Sequence, residues 1–300
     1  MEQSISHIGE KIRRLRLSKL MTQQELAGTQ ITRNMLSTIE HGTALPSLPT
    51  AIYLAERLGV PVGYLLAEES EERAYRKMLH ISNIQRAFAA RDFSGCLSML
   101  NTVFGDEQDD ELCLIRAECE LGLALEAFEK GVLRLSVAAF DRALLAAEKT
   151  VYDTDRLRDR IAVCLRYMSG ISSTLVSDVL DAEEIESAAA CGDALTDYIL
   201  ALESLEQGKE DAANEYLRRY PEALYSERIA TLLMMKNGDY TGAQGRLESM
   251  LARDDLTFGV LLYEVFADLE TCYRKNDDYK RAYEFSGSKL GLLEKLLGEM

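Results

Sequence analysis

The sequence predicts an all-α chain in two parts: five short helices in the first 66 residues, then a long array of paired helices. Three observations support this. Apolar residues recur at helical spacing from the start, as Ile8, Ile12 and Leu15. Three of the four prolines, Pro46, Pro49 and Pro61, precede residue 62, and the remainder is rich in the helix formers Ala, Leu, Glu and Arg. Breaks containing Gly, Asp or Asn punctuate that remainder, with Phe93 to Val132 and Tyr240 to Tyr279 each spanning 39 residues.

A chain of 300 residues exceeds what one core usually organises, so two domains or a repeat array are expected, and the boundaries fall at residues 1–67 and 73–300. Charge divides at the same place. Residues 1–66 hold seven Lys/Arg and five Asp/Glu, a net of +2, against –18 for the rest and –16 for the whole chain. Three Arg and two Lys fall from Lys11 to Lys19, a local basic face on a weakly basic module. The acidic remainder would repel a polyanion and turn the basic end toward it.

The first helix carries Ile8, Ile12 and Leu15 on its apolar stripe. Thr22, followed three residues later by Glu25, is a capping box that opens the second helix by satisfying N–H groups at its end. Gly28-Thr29-Gln30-Ile31 makes the turn, Thr32 caps a third helix over Arg33–His41, and Gly42 stops it. Ala44 to Pro49 reads as a loop, Thr50 opens a helix over Ala51–Leu58 that Gly59 and Pro61 end, and Val62–Leu66 is a short fifth helix. Leu26, Ala27, Ile31, Leu36 and Ile39 are the expected core, with Ala27 small where the second and third helices cross.

Together these segments read T-Q-x-E-L-A from Thr22, I-T-R-N-x-L-S-x-I-E-x-G from Ile31, P-S-L from Pro46 and A-x-x-L-G-V-P-V-x-Y-L-L from Ala55. The string resembles the Xre (Cro/C1-type) helix-turn-helix family over the first fifth of the chain. The resemblance implies binding to double-stranded DNA, with the N-terminal residues of the third helix at base edges in the major groove. Those residues are Thr32, Arg33, Asn34 and Ser37, with Met35 available to a thymine methyl. Arg33 suits guanine and Asn34 adenine, each by a paired hydrogen bond. Gln23, Arg14, Arg16 and Thr43 are phosphate candidates, and Thr22 completes the DNA-binding set. From Thr22 to Glu40 the chain is one residue shorter than the commonest form of that family. This shortened turn resembles the peptide-pheromone regulators of Gram-positive bacteria typified by Rgg, PlcR and PrgX.

Beyond an acidic hinge at Ala67–Glu72, six helix pairs are expected, roughly 73–104, 110–149, 154–190, 192–220, 223–252 and 257–297, with an irregular Ser-rich stretch from Ser169 to Ser177. Paired helices at this period are the mark of a tetratricopeptide-like α-solenoid, in which stacking buries the apolar face each hairpin leaves open. The Asp-Tyr turns at Asp239-Tyr240 and Asp278-Tyr279 read as structural, the aromatic packing on the preceding helix. The last helix, with Leu290, Leu292, Leu293, Leu296 and Leu297, suits packing on the previous pair or on a second subunit. Such an array has a concave surface lined by the first helix of each pair, fit for an extended peptide or a partner helix. In the family just named that surface binds a short peptide, held by Asn and Arg side chains. The peptide-binding candidates on first helices here are Arg166, Tyr167, Tyr198, Glu203, Arg228 and Tyr263, in no diagnostic motif.

The chain carries no phosphate loop, no HExxH, no GxSxG and no GxGxxG after a strand, so no enzymatic activity and no cofactor are expected. The six cysteines, Cys96, Cys113, Cys119, Cys164, Cys191 and Cys272, occur singly, which suits small buried hydrophobes in a reducing compartment and excludes a zinc motif. No apolar run of about 18 residues exists to span a membrane. The N-terminus has no apolar leader, so a cytoplasmic protein is expected. The function that follows is a homodimeric transcription regulator whose repeats dimerise and sense a short peptide. The alternative is a DNA-binding regulator whose repeats are a protein-interaction scaffold without a peptide ligand.

Overall fold

A computed structural model describes residues 2–67, 69–175 and 192–298. They form 16 helices and, among the described residues, no strand. The chain divides into two compact units, Met1–Arg86 and Ala87–Met300.

The first unit holds α1 (Glu2–Ser18), α2 (Gln23–Ala27), α3 (Arg33–Glu40), α4 (Leu48–Leu58), α5 (Val62–Leu66) and most of α6 (Glu69–Ala89). Its core is Ile12, Leu26, Ala27, Leu36, Ile39, Leu54, Ala55, Leu58 and Leu65, with Ile31 half-buried at the edge. The Thr22–Glu25 capping box forms: the Thr22 hydroxyl accepts from Glu25 N–H at 3.2 Å, and Glu25 Oε2 accepts from Thr22 N–H at 2.6 Å. Gly28 ends α2 in a conformation with φ of +58°, which L side chains rarely adopt. Helix α1 crosses α3 closely: a Cβ at Gly9 would stand 2.0 Å from the Ile39 carbonyl oxygen.

Two local expectations are corrected here. Helix α4 begins at Leu48, because the Ser47 hydroxyl, not that of Thr50, caps it, and Pro49 sits in the first turn where no N–H is needed. The acidic segment expected as a hinge is helical from Glu69, and Glu72 is buried. Glu72 accepts from Arg14 Nη2 at 2.5 Å and from the Tyr64 hydroxyl at 3.3 Å, with Lys11 Nζ at 3.9 Å. Lys11, equally buried, donates to the carbonyls of Tyr64 and Ala67 at 3.0 Å each, satisfying backbone acceptors that the end of α5 leaves open. Burial pushes the Lys11 ammonium below the usual lysine range, against the pull of Glu72.

The second unit continues with α7 (Phe93–Phe104), α8 (Asp110–Glu129), α9 (Leu133–Ala147), α10 (Asp155–Ile171), α11 (Ala194–Glu206), α12 (Asp211–Arg219), α13 (Leu224–Lys236), α14 (Tyr240–Leu251), α15 (Val260–Lys275) and α16 (Tyr279–Leu297). Helix α10 runs through the start of the stretch expected to be irregular, and the helix expected toward residue 190 falls mostly in 176–191, outside the described residues. Three turns share one geometry. Arg91, Gly238 and Asp277 take positive φ; Asp92, Asp239 and Asp278 follow with ψ of 70°, 70° and 71°. Each of these aspartates accepts from the N–H three residues on and so caps the next helix. The aromatic after the cap behaves differently from one turn to the next. Phe93 is buried against Gly122, where a Cβ would meet its ring at 2.3 Å, and Tyr240 is half-buried. Tyr279 is 64% exposed and does not pack as expected; its hydroxyl turns back to Asp277 instead.

The last pair returns to an early one. Helices α15 and α16 pack on α8 and α9, and Val260, Leu292, Leu296 and Leu297 share one apolar cluster with Phe128, Leu133, Phe140, Ile161 and Tyr198. Arg134 Nε donates to the Leu297 carbonyl at 2.7 Å. Glycines permit the seam: a Cβ on Gly259 would lie 2.5 Å from the Glu129 carbonyl oxygen, and one on Gly131 would lie 2.6 Å from Leu296. The five described cysteines are buried thiols, and burial pushes those of Cys96, Cys119 and Cys272 upward, the last to about 12. Cys191 lies outside the described residues.

Candidate functional site

Helix α3 is built to present its first turn. Leu36, Ile39 and Glu40 point inward, while Arg33, Asn34, Met35 and Thr38 are exposed. The Thr32 hydroxyl accepts from Met35 N–H at 3.1 Å and fixes that turn, leaving its own proton to donate outward. Glu40 is the anchor behind the face. Arg16 grips it with Nε to Oε1 at 2.6 Å and Nη2 to Oε2 at 2.9 Å, and Gln23 Nε2 donates to Oε2 at 2.9 Å. Burial pulls the Glu40 carboxyl upward, but the bonds from Arg16 and Gln23 and the charge of Arg16 together hold it below the usual carboxylate range.

The ten residues expected at DNA therefore separate into groups. Arg33, Asn34 and Met35 stand together on the open turn, with Thr32 at its cap. Thr22 caps α2, and Gln23 beside it is half-buried on Glu40. Ser37 is half-buried beside His41, and the Thr43 hydroxyl donates to the Thr38 carbonyl at 2.8 Å. Arg14 is exposed along its stem but donates to Glu72. Arg16 is buried, with its remaining donor on the Met21 carbonyl at 2.8 Å, so its guanidinium is spent inside the domain and not on a phosphate. Sequence reasoning missed the inward role of Lys11. Its signal was present, since Lys11 adjoins Ile12 on the apolar stripe between Ile8 and Leu15.

In the second unit, a cleft of about 1520 Å³ runs along α10, α11, α13 and α15. Five of the six residues expected to meet a peptide, Arg166, Tyr167, Glu203, Arg228 and Tyr263, line it. The sixth, Tyr198, is 1% exposed and stands behind the wall. Two polar assemblies shape this surface. Arg166 and Glu203 form a two-pronged, half-exposed pair at 2.7 and 2.8 Å. Deeper in, Arg228 Nε donates to Asp268 Oδ2 at 2.7 Å and Nη1 reaches Glu264 Oε1 at 2.8 Å. The hydroxyls of Tyr167 and Tyr198 both donate to Glu264, the second at 2.7 Å, and Arg228 also donates to the Tyr198 hydroxyl.

Burial raises the Glu264 carboxyl above its usual range, against the opposing pull of Arg228 and the two tyrosines. It likewise raises the phenols of Tyr167 and Tyr198. Burial disfavours the Arg228 charge, yet Glu264 and Asp268 more than restore it. The cluster ties four helices together at the wall of the cleft. Glu264 and Asp268 were missed in sequence, although an acidic i, i+4 pair, each member just before a buried apolar residue (Val265, Leu269), is a legible sign of buried charge. Among the described residues, no group of three or more His, Cys, Asp or Glu is placed to hold a metal ion, and no helix is long and apolar enough to cross a membrane.

Comparison with known proteins agrees with the geometry of the first unit. Residues 12–65 match the family model described as Helix-turn-helix. This segment is a helix-turn-helix domain. No curated protein sequence matches the chain. Among solved structures, PlcR of Bacillus thuringiensis, crystallised with the peptide PapR7 and DNA, is 13% identical over 96% of each chain, with a TM-score of 0.29, a likeness too slight to assign a fold.

Proposed function

We propose that the protein is a sequence-specific transcription regulator of the cytoplasm, acting as a homodimer, in which a tetratricopeptide-like array over residues 73–300 binds a short peptide along the inner cleft. The DNA-binding half rests on the open first turn of α3, where Arg33, Asn34 and Met35 are fixed by the Thr32 cap and by the Arg16–Glu40 anchor behind them. The sensing half rests on one observation: residues from α10, α11, α13 and α15 line a single cleft of about 1520 Å³. Pockets for small molecules run about 300–1,000 Å³, so this one suits an extended ligand. Its half-exposed Arg166–Glu203 pair offers both a donor and an acceptor to a peptide backbone. The shortened turn between α2 and α3, with its resemblance to the peptide-pheromone regulators, supports the same reading.

Footprinting on a palindromic operator tests the first half. Arg33→Ala with Asn34→Ala abolishes sequence preference while leaving salt-dependent attraction to phosphates; retained preference in that double variant overturns the readout. Calorimetry with short hydrophobic peptides encoded beside the gene tests the second. Binding heat that disappears in Arg166→Ala and Tyr263→Ala supports the cleft. No heat and no change in DNA affinity across the set favours a protein-interaction scaffold.

A further inference from the structure

Helix α16 turns an uncovered face outward. Tyr283 is 81% exposed and Leu290 56%, with Lys280, Glu284, Gly287 and Glu294 exposed beside them. At 100° per residue these six positions fall within about 60° of the Gly287 direction. The opposite side of the helix, through Ala282, Leu292 and Leu296, is buried. A Cβ on Gly287 would meet nothing within 4 Å, and the same holds at Gly291 one turn on. Within their own chain Lys280 and Glu294 make no ion pair among the described residues. Exposed apolar side chains grouped on one helix face, rather than scattered, mark an interaction surface.

The order of residues along this face says what fits it. Lys280 and Glu294 lie seven residues to either side of Gly287; Tyr283 and Leu290 lie four before it and three after. Two copies of α16 laid antiparallel about a two-fold axis at Gly287 place Lys280 of one against Glu294 of the other. The same arrangement sets Tyr283 of one copy on Leu290 of the second, on the same flank, and Gly287 on its own counterpart, where absent side chains let the backbones approach. Positive meets negative, apolar meets apolar and small meets small, the self-complementarity that an isologous dimer requires. A parallel pairing would instead set Lys280 on Lys280 and Glu294 on Glu294.

We infer that a second copy of this chain docks on this face, through an antiparallel α16 pair centred on Gly287. The inference rests on the homodimer proposed above and names its seam.

Sedimentation of the full-length protein tests it, with circular dichroism to confirm that each variant is folded. Lys280→Glu and Glu294→Lys each weaken self-association at least tenfold, and the two together restore it, because the reversed charges again face each other. Tyr283→Ala weakens it similarly. Gly287→Cys cross-links two chains under mild oxidation, whereas the wild-type chain does not. A dimer indifferent to both charge reversals and uncross-linked in Gly287→Cys overturns the seam and leaves the homodimer standing on another surface. A failure of the double reversal to restore association overturns it also. A wild-type chain that stays monomeric at all concentrations, with and without operator DNA, removes both the homodimer and the seam.

Discussion

Arg16 on α1 holds Glu40 on α3 by two parallel hydrogen bonds of 2.6 and 2.9 Å, with both side chains buried. Removing one member of such a pair leaves the other charge without compensation, a loss of about 3–5 kcal/mol. Arg16→Ala is therefore expected to unfold the first unit at urea concentrations that leave the second intact. Replacing both residues by Met and Leu should recover most of the loss in the same urea titration. A single variant as stable as wild type would show that the pair contributes little.

The acid response of this unit has a definite sign. Glu40 and Glu72 are both held below the carboxylate value of 4.5 that an unfolded chain shows. Their contribution is complete above that value and is lost as pH falls through the lower folded values. Thermal unfolding followed from about pH 7 to about pH 3 should show a falling transition temperature, and a Glu40→Gln chain should show a flatter fall.

The buried cluster at the cleft behaves oppositely. Glu264 is raised, so its protonated form is favoured by the fold, and the stability it confers is full below 4.5 and lost as pH rises through its folded value. Near neutral pH, Glu264→Gln removes one of two buried negative charges while keeping an acceptor for a tyrosine, and is expected to shift stability by only about 1 kcal/mol. Arg228→Met strands Glu264 and Asp268 together and should cost about 3–5 kcal/mol. Urea titration of the two variants separates these outcomes; equal losses would contradict the charge assignment.

Gly259→Ala drives a methyl toward the Glu129 carbonyl, a backbone atom that cannot swing aside. Overpacking of this kind costs about 1–3 kcal/mol. Hydrogen exchange should show α15 and α16 losing protection before α10 and α11. Arg134→Ala, which removes only the hydrogen bond to Leu297, should show the same order with a smaller effect.

What could be read in the sequence was local. Thr22 with Glu25, Thr32 and Val62–Leu66 stand where spacing and cap chemistry put them, because each depends on neighbours within four residues. Helix boundaries near Ser47 and Glu69 were displaced, since two hydroxyls competed to cap α4 and an acidic run masked a docked helix. The misassigned side chains depend on distant partners. Arg16 looked like a phosphate ligand because Glu40 is 24 residues away, and Tyr279 was expected to pack because its Asp-Tyr turn matches that of Tyr240. At the cleft the surface residues Arg166, Glu203 and Tyr263 were legible from helix order alone. Their acidic counterparts, Glu264 and Asp268, gain meaning only when α13 brings Arg228 alongside.

The seam between Gly259 and Glu129 changes the statistics of this array. In a linear stack each hairpin answers only to its neighbours, so ends fray and hairpins can be added or deleted one at a time. Here the final hairpin shares its apolar cluster with the second, which turns a line into a loop. Deleting any hairpin between them would misalign both ends at once, and a hairpin inserted there would force them apart. Melting should then be a single event across α8 to α16 rather than a progressive one, and the array is constrained in hairpin number as an open solenoid is not.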